Sequence, residues 1–367
     1  MKHPMVLTLS IILVLGVPVS SCAQESGTVT EFPLAWPDQT TDSIEATGST
    51  HEITYNRNKG KTFWITGQNH DYIARVTLDG KAEFFAMPPN SGPHGLVYDA
   101  DDHLWVSLEF AGLVVRVDEN GEILQKIDVR LYAQGAKELI NTHPHGLGLG
   151  ADGKTIWFTG KKTNTIGKIN PDGSVEHFEL PTVGAVPIYL ARGPDGNIWC
   201  TELVGNKIAR IKPNGDIDEF TIPTANSRPI AITPGPDGQS MWFSEEAGNK
   251  VARIDMNGDI TEFPITEFPI PSTQKNVILA GLAFDSEGNL WTHSYVDPNN
   301  PSPEGPDYII QVDKAINTAA PGDLSQIPLS YYQVPSRNTI MHRITQGPDG
   351  NIWFTELGTD KLGKLTF

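Results

Sequence analysis

A chain of 367 residues is long enough for two or three domains, yet only 38 % of it is apolar. Its 35 glycines and 28 prolines point to many short strands joined by tight turns and exclude a helical protein. A formal net charge of −17 argues against nucleic acid as a partner, because phosphate contacts need a basic surface.

The first 22 residues read as a targeting segment. Lys2 leads into an apolar run over 6–17, the length of a signal-peptide core and too short to span a bilayer comfortably. Val19-Ser20-Ser21-Cys22 resembles a bacterial lipoprotein box, in which Cys22 is acylated and begins the mature chain. The alternative is an ordinary secretory signal. Residues 23–367 then form one exported domain, a monomer touching the cell envelope only through its lipid. With Cys22 lipidated, Cys200 is left without a disulfide partner and reads as a buried apolar filler.

Next along the chain, Thr28-Val29-Thr30-Glu31-Phe32-Pro33-Leu34 copies segments that recur at 218–223 and 261–265. From there a repeat takes over. Gly-Pro-Asp-Gly-Asn-Ile-Trp occurs at 193–199 and again at 347–353, and seven tryptophans carry versions of it: Trp64, Trp105, Trp157, Trp199, Trp242, Trp291 and Trp353. A spacing in the low forties, with insertions, marks a radial β-repeat whose units cannot bury their own apolar faces. In the last copy, a strand at 342–345, a turn at 347–351, a strand at 352–355 and a strand at 361–365 exhaust the chain. The fold predicted is all-β: a seven-bladed propeller of four-stranded antiparallel blades, with residues 28–34 completing the last blade.

In such a ring the innermost strands line a central channel. At their first positions the repeats place His51, His94, His145 and His342, in blades one, two, three and seven, which become contiguous on closure. Glu109, Glu202, Glu245 and Glu356 end the second strands and open onto the same face. Imidazoles and carboxylates around one mouth can hold a divalent metal or supply a general acid and base. Repetition of a Pro-His-Gly step for its turn alone is the competing explanation. His143 adds a fifth imidazole close by in His143-Pro144-His145, His293 replaces the usual Thr or Ser, and Tyr189 and Arg228 could reach a ligand from the facing blades. Insertions at 127–142, 264–276 and 314–339 are placed on outer-to-inner connections at that face, where selective loops belong.

The run Gly-Pro-Asp-Gly-Asn-Ile-Trp, continued by Gly-Asn-Lys-Ile-Ala-Arg-Ile at 205–211 and Glu-Phe-Thr-Ile-Pro-Thr at 219–224, resembles the virginiamycin B lyase (streptogramin lyase) family over roughly 28–367. The resemblance implies an antibiotic-resistance activity: opening of a cyclic depsipeptide by C–O elimination, with Mg²⁺ as Lewis acid. It implies His342 as the catalytic acid/base and Glu356 as a metal ligand. Two departures stand out. Ile340 occupies the place of a second family glutamate, and Ala280 that of a family histidine. His51, His94 and His145, with His143, Glu109 and Tyr189, are then the additional ligand or substrate-binding candidates, and another divalent metal is an alternative to Mg²⁺. The readings left open are a Mg²⁺-assisted lyase, another propeller enzyme such as a polysaccharide lyase or lactonase acting on a small molecule or glycan, and a non-catalytic binding propeller.

Overall fold

The structure is a computed structural model that describes residues 26–37, 48–132, 137–265, 277–296, 306–321 and 327–367. Cys22 and the targeting segment lie outside these residues, as does most of the 264–276 insertion.

Among the described residues, twenty-eight strands form seven antiparallel sheets of four. Six sheets take their strands consecutively, beginning with Thr50–Tyr55, Thr62–Gly67, Tyr72–Thr77 and Ala82–Ala86. The seventh combines Met341–Gln346, Ile352–Glu356 and Lys361–Thr366 with the N-terminal strand Thr28–Pro33. There Thr28 pairs with Thr366, Glu31 with Gly363 and Pro33 with Lys361. Glu31 also takes a 2.7 Å contact from Lys361 Nζ and a 2.7 Å hydrogen bond from the Ser336 amide. The ring is therefore closed by the strand that the repeat predicted.

The repeated phrase has a physical reason. Its aspartate accepts from the indole of its own tryptophan: Trp199 Nε1 to Asp195 at 3.1 Å, and Trp353 Nε1 to Asp349 at 2.9 Å. The following glycine adopts positive φ, +78° at Gly196 and +79° at Gly350, as the turn requires. Most of these indoles then pack on an aromatic of their blade's outermost strand, as Trp199 stacks on Phe220 and Trp242 on Phe263. Phe32 does the same to Trp353 at 5.9 Å, so the closing strand supplies packing as well as hydrogen bonds. The apolar clusters run between neighbouring blades: Trp64 packs with Leu96, Leu104 and Val106 of the next blade. Buried Cys200 sits in such a cluster beside Ala209.

Where the second strand carries phenylalanine, the third often carries glycine opposite it. A Cβ on Gly363 would lie 2.1 Å from the Phe354 ring. Gly363→Ala is expected to destabilise the fold by about 1–3 kcal/mol, measured by urea unfolding. An unchanged midpoint would show that Phe354 has room to move.

One expected insertion is corrected. Residues 314–339 are not a single outer-to-inner connection, because Leu329–Gln333 is itself the outermost strand of blade six. The extra chain falls within the blade, where a short 3₁₀ turn over Lys314–Thr318 precedes that strand.

Candidate functional site

Every innermost strand carries a β-bulge near its start. In blade two, Pro93 pairs with Leu108 and Leu96 with Val106, so His94 and Gly95 together oppose the single residue Ser107. The same shift recurs in the other six blades. A bulge bends the strand and re-aims side chains. It is pinned by the opposing hydroxyl, which accepts from the bulge amide and donates to the matching carbonyl of the next blade. Ser107 Oγ accepts from Gly95 N at 2.7 Å and donates to His145 O at 2.9 Å. Thr355 Oγ1 accepts from Arg343 N at 3.0 Å and donates to His51 O at 2.8 Å across the closure. His293 is blade six's substitute for that hydroxyl, its Nε2 accepting from Gly281 N at 3.1 Å. It is buried in the belt between blades.

The bulges produce two layers around the axis. The outer layer holds His51, His94, His145 and His342 on one side, with Ile188, Ile230 and Ala280 at the equivalent places opposite. Ring centroids lie 4.6 Å apart for His51 and His94, 4.5 Å for His51 and His342, and 3.6 Å for His94 and His145. The four imidazoles thus form one cluster. Burial, aided by the charge of Arg343, holds His51 down to about 3, and burial likewise lowers His94, His145 and His342 well below their ordinary value. All four are neutral at pH 7.

The inner layer was not anticipated from the sequence beyond Tyr189. Glu52 of blade one accepts from Arg343 Nε of blade seven at 2.8 Å. Tyr189, from the far side of the ring, hydrogen-bonds to both Glu52 and Arg343. The Arg343 guanidinium lies 3.3 Å over the Tyr189 ring. His342 Nδ1 stands 3.7 Å from Glu52 Oε1. Arg343 Nη2 has no hydrogen-bond partner among the described residues.

Above the imidazoles, the residues that follow the second strands form a polar rim. Here the sequence register needs correcting. Leu108, not Glu109, is the blade-two counterpart of Glu202, Glu245 and Glu356. Glu109 lies one residue further on, and a one-residue step turns a side chain to the other face. It therefore joins His94 and His145, whose ligand atoms and its own lie within 4.8 Å of one another. Glu109 accepts from Gln68 Nε2 at 2.7 Å and lies 3.2 Å from Lys161 Nζ and 3.6 Å from His143 Nδ1. A second group of the same kind joins His51, His94 and His342. Arg228 is half-exposed and held by Glu246 at 2.8 Å.

Glu356 lies in neither group. It pairs across the sheet with Met341, which is buried, and accepts from Thr359 Oγ1 at 2.6 Å. Burial raises its carboxyl to about 7. Its sisters behave alike: Glu202 and Glu245 are raised to about 8 by burial and then by the adjacent Glu219 and Glu262. Those neighbours are themselves bonded to Lys207 and Lys250. A carboxyl raised in the fold weakens it as pH climbs from the unfolded value near 4.5 through about 8. Glu245→Gln should therefore raise Tm at pH 9 and leave it nearly unchanged at pH 4.5. Equal Tm values at both pH values would mean that Glu245 is not protonated in the native state.

The residue just before the inner strand takes a left-handed conformation in several blades: His143 at φ +50°, Val186 at +56°, Arg228 at +55° and Ile340 at +44°. For the branched Val186 and Ile340 this is strain, stored around the mouth of the channel.

Fold and site define a seven-bladed propeller with an imidazole-lined mouth on one face. A sequence model of the virginiamycin B lyase family matches residues 129–296. Virginiamycin B lyase of Nocardia farcinica is 28% identical over 195 residues, which span 51% of this chain and 64% of that relative. A solved streptogramin B lyase superposes with a TM-score of 0.73 at 25% identity, covering 93% of this chain and 97% of that one. A catalytically inactive variant of virginiamycin B lyase from Staphylococcus aureus, solved with quinupristin, gives 0.71 at 28% identity over 93% and 99%. The chain is related to the virginiamycin B lyase family.

The Mg²⁺ that this kinship implies needs mainly oxygen ligands in octahedral array. The mouth offers imidazoles with one carboxylate, Glu109, while Glu356 shares its side of the sheet with Met341. This donor set does not fit Mg²⁺.

Proposed function

We propose that the protein is a carbon–oxygen lyase that opens a lactone or cyclic depsipeptide, with His342 as the base. The observation that carries this reading is the place of His342: a neutral, partly accessible imidazole at the mouth of a channel in a lyase-like propeller. In the reaction, His342 takes a proton from a carbon α to a carbonyl. The electron pair left behind forms a C=C bond as the adjacent C–O bond breaks, and the ester oxygen leaves as a carboxylate. Glu52, 3.7 Å away, stabilises the imidazolium formed. Arg343 is anchored by Glu52, and its free Nη2 suits a developing negative charge. Opposite the imidazoles, the half-buried Ile230 offers an apolar contact to the rest of the substrate, with Ile188 and Ala280 buried at the equivalent places. An exported protein, lipid-anchored at Cys22 and acting alone, completes the proposal.

Mass spectrometry of quinupristin incubated with the protein tests it. Elimination gives a linear product of unchanged mass. Hydrolysis adds one water, and that result would make the protein a lactonase. No conversion would leave a binding propeller. Either result rejects the lyase.

A further inference from the structure

The geometry points to a transition-metal site built from His94, His145 and Glu109, in blades two and three, with Zn²⁺ or a similar borderline divalent ion as its ligand. His94 Nδ1 lies 3.2 Å from the carbonyl of His145, and His145 Nδ1 lies 3.2 Å from the carbonyl of Ile188. A ring nitrogen facing a carbonyl carries the proton, so both Nε2 atoms keep their lone pairs. His94 is fully buried, and its Nε2 has no hydrogen-bond partner among the described residues. An acceptor left in that state costs stability unless something occupies it. Backbone carbonyls that fix the tautomer of liganding imidazoles are the usual outer support of a metal centre. Glu109 has the same support, since Gln68 Nε2 holds its Oε2 at 2.7 Å.

The three ligand atoms lie within 4.8 Å of one another. A tetrahedral Zn²⁺ shell with bonds of about 2.0–2.1 Å places its ligands about 3.3 Å apart, so small side-chain rotations complete it. His51, His94 and His342 form an overlapping trio. His94 has one free nitrogen, so only one trio can be filled. The trio with Glu109 brings an anionic ligand to a dication, and its members are all buried. It also leaves His342 unligated. The two nearest cations are already paired, Lys161 with Glu109 and Arg343 with Glu52. Lys161 is partly exposed and free to swing away. Two imidazoles and one carboxylate suit Zn²⁺, Mn²⁺ or Fe²⁺ and not Mg²⁺. The centre thus lies around the ring from Ile340 and Ala280.

Untagged protein stripped with a chelator is titrated with Zn²⁺, Co²⁺ and Mg²⁺ by calorimetry, and the Co²⁺ complex is followed by its visible absorption. The result expected is one Zn²⁺ or Co²⁺ per chain at micromolar affinity or tighter, with intense tetrahedral-type Co²⁺ bands. Glu109→Gln and His145→Gln should lose about tenfold or more in affinity, while His51→Ala and His342→Ala stay within about threefold. Because a buried variant can fail to fold, the Zn²⁺-dependent rise in Tm is also measured. Wild type and His342→Ala should show it, and Glu109→Gln should not. No saturable uptake, preference for Mg²⁺, or equal losses in His51→Ala and Glu109→Gln would each overturn the site. These readouts follow metal and not turnover, so they stand apart from the fate of the lyase reading.

Discussion

Replacing His342 by alanine is expected to lower turnover of quinupristin by about 10²–10⁴-fold, the ordinary contribution of a general base. The side chain is 17% exposed, the imidazole is neutral, and its carboxylate neighbour Glu52 is held in place by Arg343. The backbone around it is fixed independently, by the Thr355 hydroxyl that bonds Arg343 N and His51 O. The variant should therefore keep its thermal transition within a few degrees while losing chemistry. Full activity in His342→Ala would transfer the base to another imidazole of the cluster. A large fall in Tm would instead assign His342 to the packing of the mouth.

A chain that starts at Leu34 should lose its cooperative unfolding. Its Tm is expected to fall by about 10 °C or more, with association at micromolar concentrations. The deletion removes every partner of the strand Lys361–Thr366 on its outer edge. It also strips Phe32 from Trp353 and takes Glu31 away from Lys361 and Ser336. The exposed edge is then a template for another chain. Calorimetry and size-exclusion chromatography would decide the matter. A truncated monomer melting within two or three degrees of the intact protein would show that the ring holds without its closure.

Much of the fold was legible because its signals are repeated. Trp199 and Trp353 report the same turn, the same stacked aromatic and the same strand order, and the likeness of 28–34 to 218–223 was enough to place the closure. The arc of His51, His94, His145 and His342 could be counted from the same frame. What escaped was whatever the frame does not repeat. Glu109 was aligned with Glu202 and Glu356, although Leu108 fills that place, so its turn toward the imidazoles was found for the wrong reason. Glu52 and Arg343 are adjacent to cluster histidines in sequence, and an unbroken strand would aim them to the opposite face. Only the bulge brings both toward the axis, and nothing in a Thr-His-Glu or Met-His-Arg triplet announces one. Gln68 and Lys161 follow glycines at strand ends and become partners of Glu109 only once three blades stand side by side.

The contact of Tyr189 with Glu52 and Arg343 joins blade four to blades one and seven and so crosses the bore of the ring. A molecule that reaches the imidazoles meets a floor there. Whatever enters by that mouth must leave by it, and no polymer can be threaded from one side of the disc to the other. The protein is consequently a cul-de-sac, suited to compact molecules or to the tip of a longer one.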